Sequence, residues 1–154
     1  MSTPSRILVT GGCGFIAGVL IRQLLAEGWQ VHTTLRDLKR EPALRQAFGV
    51  GASDQLRCFA ADLMADAGWA EAAAGCSHLA HLASPLPVGV PKDANDLITP
   101  ARDGALRALK AARDAGVRRV VMTSSVAAIS YGHGPGDHHF TEDDWTRLQA
   151  PGIP

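Results

Sequence analysis

Arg6-Ile7-Leu8-Val9-Thr10-Gly11-Gly12-Cys13-Gly14-Phe15-Ile16-Ala17 is the stretch whose reading decides the fold. A short apolar run, bounded by a polar tail and a glycine cluster, reads as a buried strand over 6–10. Gly11 allows a tight turn out of that strand. Gly14 lets the backbone approach a pyrophosphate with no side chain in the way. The small Ala17 lets the following helix pack closely on the strand. The helix N-terminus offers unpaired amides and the positive end of a dipole to phosphates. Glycines after a strand also mark plain turns, so the pattern draws its weight from the strand–turn–helix context. Cys13 reads as a small loop filler; a thiol activated at a helix N-terminus is the sharper alternative.

Outward from this point, apolar runs alternate with amphipathic stretches. A helix is expected over 15–27, with Ile16, Val19, Leu20, Leu24 and Leu25 on one face and Gly28 as its stop. The β-branched QVHTTL at 30–35 is a second strand. A short helix follows over 42–48, a third strand over 56–60 and a helix over 67–74. HLAHLA at 78–83 is a fourth strand, closed by Ser84-Pro85. A long helix spans about 94–115 and ends at Gly116, and RVVMT at 119–123 is a fifth strand. Such alternation implies an α/β fold: a doubly wound parallel sheet of Rossmann type, about five strands present, with helices on both faces and right-handed crossovers. The whole of 1–154 reads as one nucleotide-binding domain. Its end, 126–154, is mostly loop, being rich in glycine and proline.

Composition sets outer limits. The chain has 154 residues, 46% hydrophobic and 19% charged, which suits a packed core and not a disordered chain. Fifteen basic residues balance fifteen acidic ones, so there is no electrostatic footprint for nucleic acid or an anionic membrane. Any anion site must be local. MSTPSRILVT lacks the apolar core of a signal peptide, and no apolar stretch approaches the roughly 20 residues of a membrane span. Cys13, Cys58 and Cys76 fit neither a disulfide framework nor a zinc site. Reduced thiols in a cytoplasmic protein are expected.

The end of the second strand bears on cofactor choice. Folds selective for NAD place an acidic residue there for the ribose hydroxyls, whereas NADP-selective ones use a neutral residue and a nearby arginine. Here the strand ends Thr34-Leu35-Arg36-Asp37. Leu35 stands where the acid would be, and Arg36 can grip a 2′-phosphate in bidentate fashion. NADP is therefore favoured over NAD, with Arg40 as an assistant. The plain alternative is a solvated Arg36 paired with Asp37.

Taken together, TGGCGFIA at 10–17, Arg36-Asp37, Asp62-Leu63, LASP at 82–85 and Thr123-Ser124-Ser125 resemble the extended short-chain dehydrogenase/reductase family. MTSSVAAISYGH at 122–133 and FTEDDW at 140–145 are similar to its dihydroflavonol reductase and bacterial aldehyde reductase branch. The resemblance runs from Arg6 onward, and Ala17 in place of the commoner third glycine is a mild departure. It implies that Gly11, Gly14, Phe15 and Ile16 line the pyrophosphate and that Arg36 meets the 2′-phosphate. It further implies that Asp62 and Leu63 flank the adenine, that Ala83 and Ser84 run beside the nicotinamide ribose, and that Thr123 presents backbone to the nicotinamide. Ser125 matches the catalytic serine.

The resemblance also implies a tyrosine that donates a proton to a substrate carbonyl and a lysine four residues later that tunes it. The one tyrosine, Tyr131, has Pro135 four residues on, and the last lysine is Lys110. The expected reading is a truncated chain, without the sixth strand and substrate domain. Catalysis would be absent or impaired, and the fifth strand would stand as an open edge. The intact enzyme would reduce an aldehyde or ketone of a small molecule with NADPH. A nucleotide-sugar epimerase or dehydratase fragment and a non-catalytic nucleotide-binding module are the alternatives. His133, His138 and His139 lie near Asp137, Glu142, Asp143 and Asp144, but their spacing matches no helical or hairpin ligand pattern. A solvated loop anchored by Trp145 is expected there, and no metal.

Overall fold

The computed structural model describes residues 5–85 and 93–151. Its contacts divide the chain into two compact units, Met1–Met122 and Thr123–Pro154.

The first unit is built on five parallel strands: β1 (Arg6–Val9), β2 (Gln30–Leu35), β3 (Leu56–Ala60), β4 (His78–His81) and β5 (Arg119–Met122). Between them run α1 (Phe15–Ala26), α2 (Glu41–Phe48), α3 (Trp69–Ala73) and α4 (Asn95–Asp114), with a 3₁₀ turn at Leu38–Arg40 before α2. The strand order is β3-β2-β1-β4-β5. The chain winds outward from β1 to β3, then returns to the other side of β1. The order therefore reverses between β1 and β4, which is where open α/β sheets bind ligands.

Alternation along β1 assigns its side chains to two cores. Ile7 and Val9 pack with Ala17, Ile21 and Leu24 of α1 on one face. Leu8 packs with Ala72 and Ala73 of α3 and Ala112 of α4 on the other. Both faces are thus covered by helices, as the alternation of elements predicts. Along α4, Gly104, Ala108 and Ala112 form the buried stripe; a Cβ at Gly104 would lie 2.7 Å from that of Leu63. Small residues are needed because α4 lies close against the loop after β3.

Trp145, expected to anchor its loop by packing, is instead 70% exposed, and details of α1 and β4 also differ from the sequence-based expectation. The buried face of α1 is Ala17, Ile21 and Leu24, with Leu20 and Leu25 packing at its margin. Ile16 and Val19 are instead 62% and 42% exposed. The close approach at Ala17 sets the rotation of the helix, and the i, i+4, i+7 row from that residue faces the sheet. β4 also stops two residues early, because the amides of Leu82 and Ala83 turn to a side chain (below) instead of a neighbouring strand. Among the described residues β5 pairs only with β4 and stands at the sheet edge; Val121 is 68% exposed.

Among its described residues, the second unit holds one short helix, α5 (Ala127–Ser130), in a segment otherwise made of turns and irregular chain. The Thr146 amide donates to the Ala128 carbonyl at 2.9 Å, and the Arg147 amide to the Tyr131 carbonyl at 3.1 Å. Those bonds fold the segment back on itself. Among the described residues, no helix is long and apolar enough to cross a membrane.

Candidate functional site

The glycine loop between β1 and α1 is shaped by its neighbours on both sides. Gly11 has φ +74°, a left-handed backbone that a side chain disfavours. The Gly14 amide donates to the Gly11 carbonyl at 2.8 Å, closing the turn. From β2, the Thr34 hydroxyl accepts the Gly11 amide at 2.9 Å, and the Thr34 carbonyl accepts the Gly12 amide at 3.0 Å. A Cβ on Gly12 would sit 2.3 Å from the Thr33 hydroxyl oxygen. Gly12, whose role the motif alone leaves unstated, is thus a glycine of the loop whose Cβ the packing leaves no room for.

On the other side, the hydroxyl of Thr10 ties β1 to the end of β4. Fully buried, it lies 3.0 Å from the amides of both Leu82 and Ala83 and 3.0 Å from His81 Nδ1. Two N–H donors occupy the oxygen's lone pairs, so the hydroxyl proton goes to His81 Nδ1, which must carry a lone pair. Burial holds the His81 imidazole below its ordinary pKa, in keeping with a neutral acceptor. A Cβ on Gly11 would come within 3.2 Å of Ala83 Cβ. The ends of β1 and β4 are therefore in contact at the switch point.

Helix α1 opens at Gly14 with no capping side chain and no acidic residue in its first turn. Its first amides have no partner within the helix, and the dipole adds positive potential. Across the loop, Leu35 is buried and Arg36 exposed. Asp37 does not pair with Arg36: its carboxylate accepts the Lys39 amide at 2.9 Å and starts the 3₁₀ turn. Among the described residues, neither Arg36 nor Arg40 joins an ion pair. By contrast, Arg45 is spent on Glu41 and the carbonyls of Gly51, Ser53 and Leu56.

These elements enclose a cleft of about 850 Å³. Of the residues singled out from the sequence, Gly11, Gly14, Arg36, Asp62, Leu63, Ala83 and Ser84 line it. Thr34, Arg40, Trp69 and Leu82 line it as well. Phe15 and Ile16 do not; their side chains are 87% and 62% exposed, so only their backbone could serve a ligand there. Asp62 also has a structural duty. Its carboxylate accepts the Met64 amide at 2.9 Å, and its carbonyl accepts the Trp69 indole N–H at 3.1 Å. Thr123 and Ser125 belong to the second unit and are exposed. The Ser125 hydroxyl oxygen accepts the Ala127 amide at 3.2 Å, which leaves its proton available.

The other titratable groups near the core are muted. Burial raises the Cys58 thiol to about 12 and the Cys76 thiol to about 11, so both stay protonated. Cys13 is exposed and lines the cleft. His32 donates from Nδ1 to the Ala72 carbonyl at 2.7 Å, while its buried Nε2 has no partner. Burial lowers its pKa too.

Comparison with known proteins matches residues 7–151 to the NAD dependent epimerase/dehydratase family. A dihydroflavonol 4-reductase of Hordeum vulgare is 33% identical over 147 residues, covering 92% of this chain and 40% of that protein. The crystal structure of vestitone reductase from alfalfa (Medicago sativa) is similar with a TM-score of 0.73 and 35% identity, covering 93% of this chain and 43% of that one. Gre2 from Candida albicans, crystallised in complex with NADPH, has a TM-score of 0.77 and 31% identity, covering 93% and 44%. The chain thus spans about two fifths of the length of these relatives.

Proposed function

The chain belongs to the NAD dependent epimerase/dehydratase family, and from that premise we propose that its first unit binds NADPH, for reduction of an aldehyde or ketone on a small molecule. One observation carries this reading: a single cleft has an uncapped helix N-terminus at one wall and, at another, two arginines that join no ion pair among the described residues. The first suits a diphosphate. The second suits the extra phosphate that distinguishes NADPH from NADH. Gly14 lines the cleft without a side chain. The volume of about 850 Å³ lies in the ordinary range for cofactor sites.

The roles follow from position and from the family likeness. The amides of Phe15 and Ile16, with Gly11 and Gly14, hold the diphosphate. Arg36, helped by Arg40, binds the 2′-phosphate; the apolar Leu35 offers no acceptor to the ribose hydroxyls of NADH. Asp62 and Leu63 flank the adenine, Ala83 and Ser84 the nicotinamide ribose, and Thr123 the nicotinamide. When bound, the reduced cofactor supplies a hydride. Ser125 donates its hydroxyl proton in a hydrogen bond to the substrate carbonyl and polarises it. The sequence holds no Tyr-x-x-x-Lys pair, so these 154 residues by themselves bind the cofactor with little turnover; one placed proton donor is worth roughly 100- to 10,000-fold.

The test is Arg36→Leu. A charged hydrogen-bonding contact is worth about 1.5–3 kcal/mol, so NADPH affinity should fall roughly 10- to 150-fold while NADH affinity stays unchanged. Equal losses for both cofactors, or no loss for either, would contradict the assignment.

A further inference from the structure

We propose that the second unit binds a divalent metal ion of the zinc class on His133, His138 and Asp144. One ligand atom from each lies within 4.8 Å of the others. Their spacing along the chain belongs to no regular ligand pattern. The fold of the loop brings them together.

The orientation of His133 is the first support. Its Nε2 lies 2.9 Å from the Ile129 carbonyl, and a carbonyl can only accept. The proton therefore sits on Nε2, and Nδ1 keeps its lone pair. A histidine that gives its far N–H to a backbone carbonyl is oriented as metal-bound histidines are. The second support is the nearness of the two rings. His133 and His138 stack with centroids 5.3 Å apart and planes 14° from parallel, and Phe140 sets its edge against both. The third is the carboxylate. Asp144 Oδ2 accepts the Thr141 amide at 2.8 Å, which holds Oδ1 3.0 Å from His138 Nε2.

Two imidazole nitrogens and one carboxylate oxygen suit zinc and its neighbours better than calcium or magnesium, which favour oxygen alone. Bonds of about 2.0–2.2 Å in a tetrahedron put neighbouring ligand atoms roughly 3.3 Å apart. His138 and Asp144 already lie near this separation, and the turn that carries them closes the rest by moving toward His133, whose bond to Ile129 is kept. The metal takes the place of the proton between His138 Nε2 and Asp144 Oδ1, and water fills the fourth position. A simple His138–Asp144 ion pair is the competing account, and it gives His133 no part.

That difference sets the experiment. The full chain, stripped with a chelator, is titrated with cobalt(II) and followed by visible absorption, then challenged with zinc. The proposal expects one equivalent, intense bands of four-coordinate cobalt, and their loss on adding zinc. His133→Ala and Asp144→Asn should each weaken binding at least tenfold, while His139→Ala, outside the cluster, binds as the parent does; far-ultraviolet circular dichroism checks folding. On the unmutated chain, one equivalent of zinc should shield two histidines from diethyl pyrocarbonate. A featureless or six-coordinate cobalt spectrum, equal binding in His133→Ala and parent, or no shielding would overturn the site.

Discussion

Replacing Thr10 by valine keeps the shape of the side chain and deletes only its hydroxyl. That oxygen accepts the amides of Leu82 and Ala83 and donates to His81, each at 3.0 Å. The variant strands two part-buried donors and one buried acceptor. A stranded buried polar group costs about 1–3 kcal/mol. Because the two amides keep partial access to water, the expected loss is about 2–5 kcal/mol, a large share of the roughly 5–15 kcal/mol of a whole domain. Urea unfolding of parent, Thr10→Val and Thr10→Ser measures it. Serine keeps the hydroxyl and loses one methyl, so it should cost about 1 kcal/mol. The same hydroxyl positions the Leu82–Ala83 wall of the cleft, so the valine variant should also bind NADPH more weakly. A valine variant within about 0.5 kcal/mol of the parent, or a serine variant equally destabilised, would refute the assignment of those bonds.

Three other outcomes are expected. Gly12→Ala puts a Cβ 2.3 Å from the Thr33 hydroxyl oxygen; about 1–3 kcal/mol of stability should be lost together with most NADPH affinity, and a neutral result would show the loop to be looser than described. His32 and His81 both titrate below their ordinary value when folded, so the unfolded chain takes up protons first as pH falls. Stability should therefore drop from about pH 6.5 downward, by at most about 1.4 kcal/mol per pH unit for each histidine, and level off below the folded values; urea midpoints at pH 7.5 and 5.5 that coincide would contradict this. Under native conditions at pH 8, a thiol reagent should modify Cys13 alone, since Cys58 and Cys76 are held near 12 and 11; saturating NADPH should slow that reaction, and rapid labelling of all three would contradict the burial.

Much of the fold was legible because strands and helices differ in period and glycines punctuate them. β2 and β3 have the bounds that hydrophobic runs indicate. The rotation of α1 was not legible, because Ile16 and Val19 are as apolar as the residues that pack; only the close approach at Ala17 decides between the faces. The glycine turn and Arg36 were legible as types at a known offset from a strand. The hydroxyls of Thr10, Thr33 and Thr34 were not: in sequence they are β-branched strand residues, and only the pairing of β1 with β2 and β4 aims them at the loop. Likewise, spacing argues against a ligand set at His133, His138 and Asp144, because the turn that gathers them leaves no periodic trace.

Isothermal titration of the folded chain with NADPH and with NADH tests the central claim most directly. One site should appear, with NADPH bound at least tenfold more tightly than NADH, the preference arising from Arg36 and its 2′-phosphate. Absence of heat with either cofactor at millimolar concentration, or tighter binding of NADH, would contradict it.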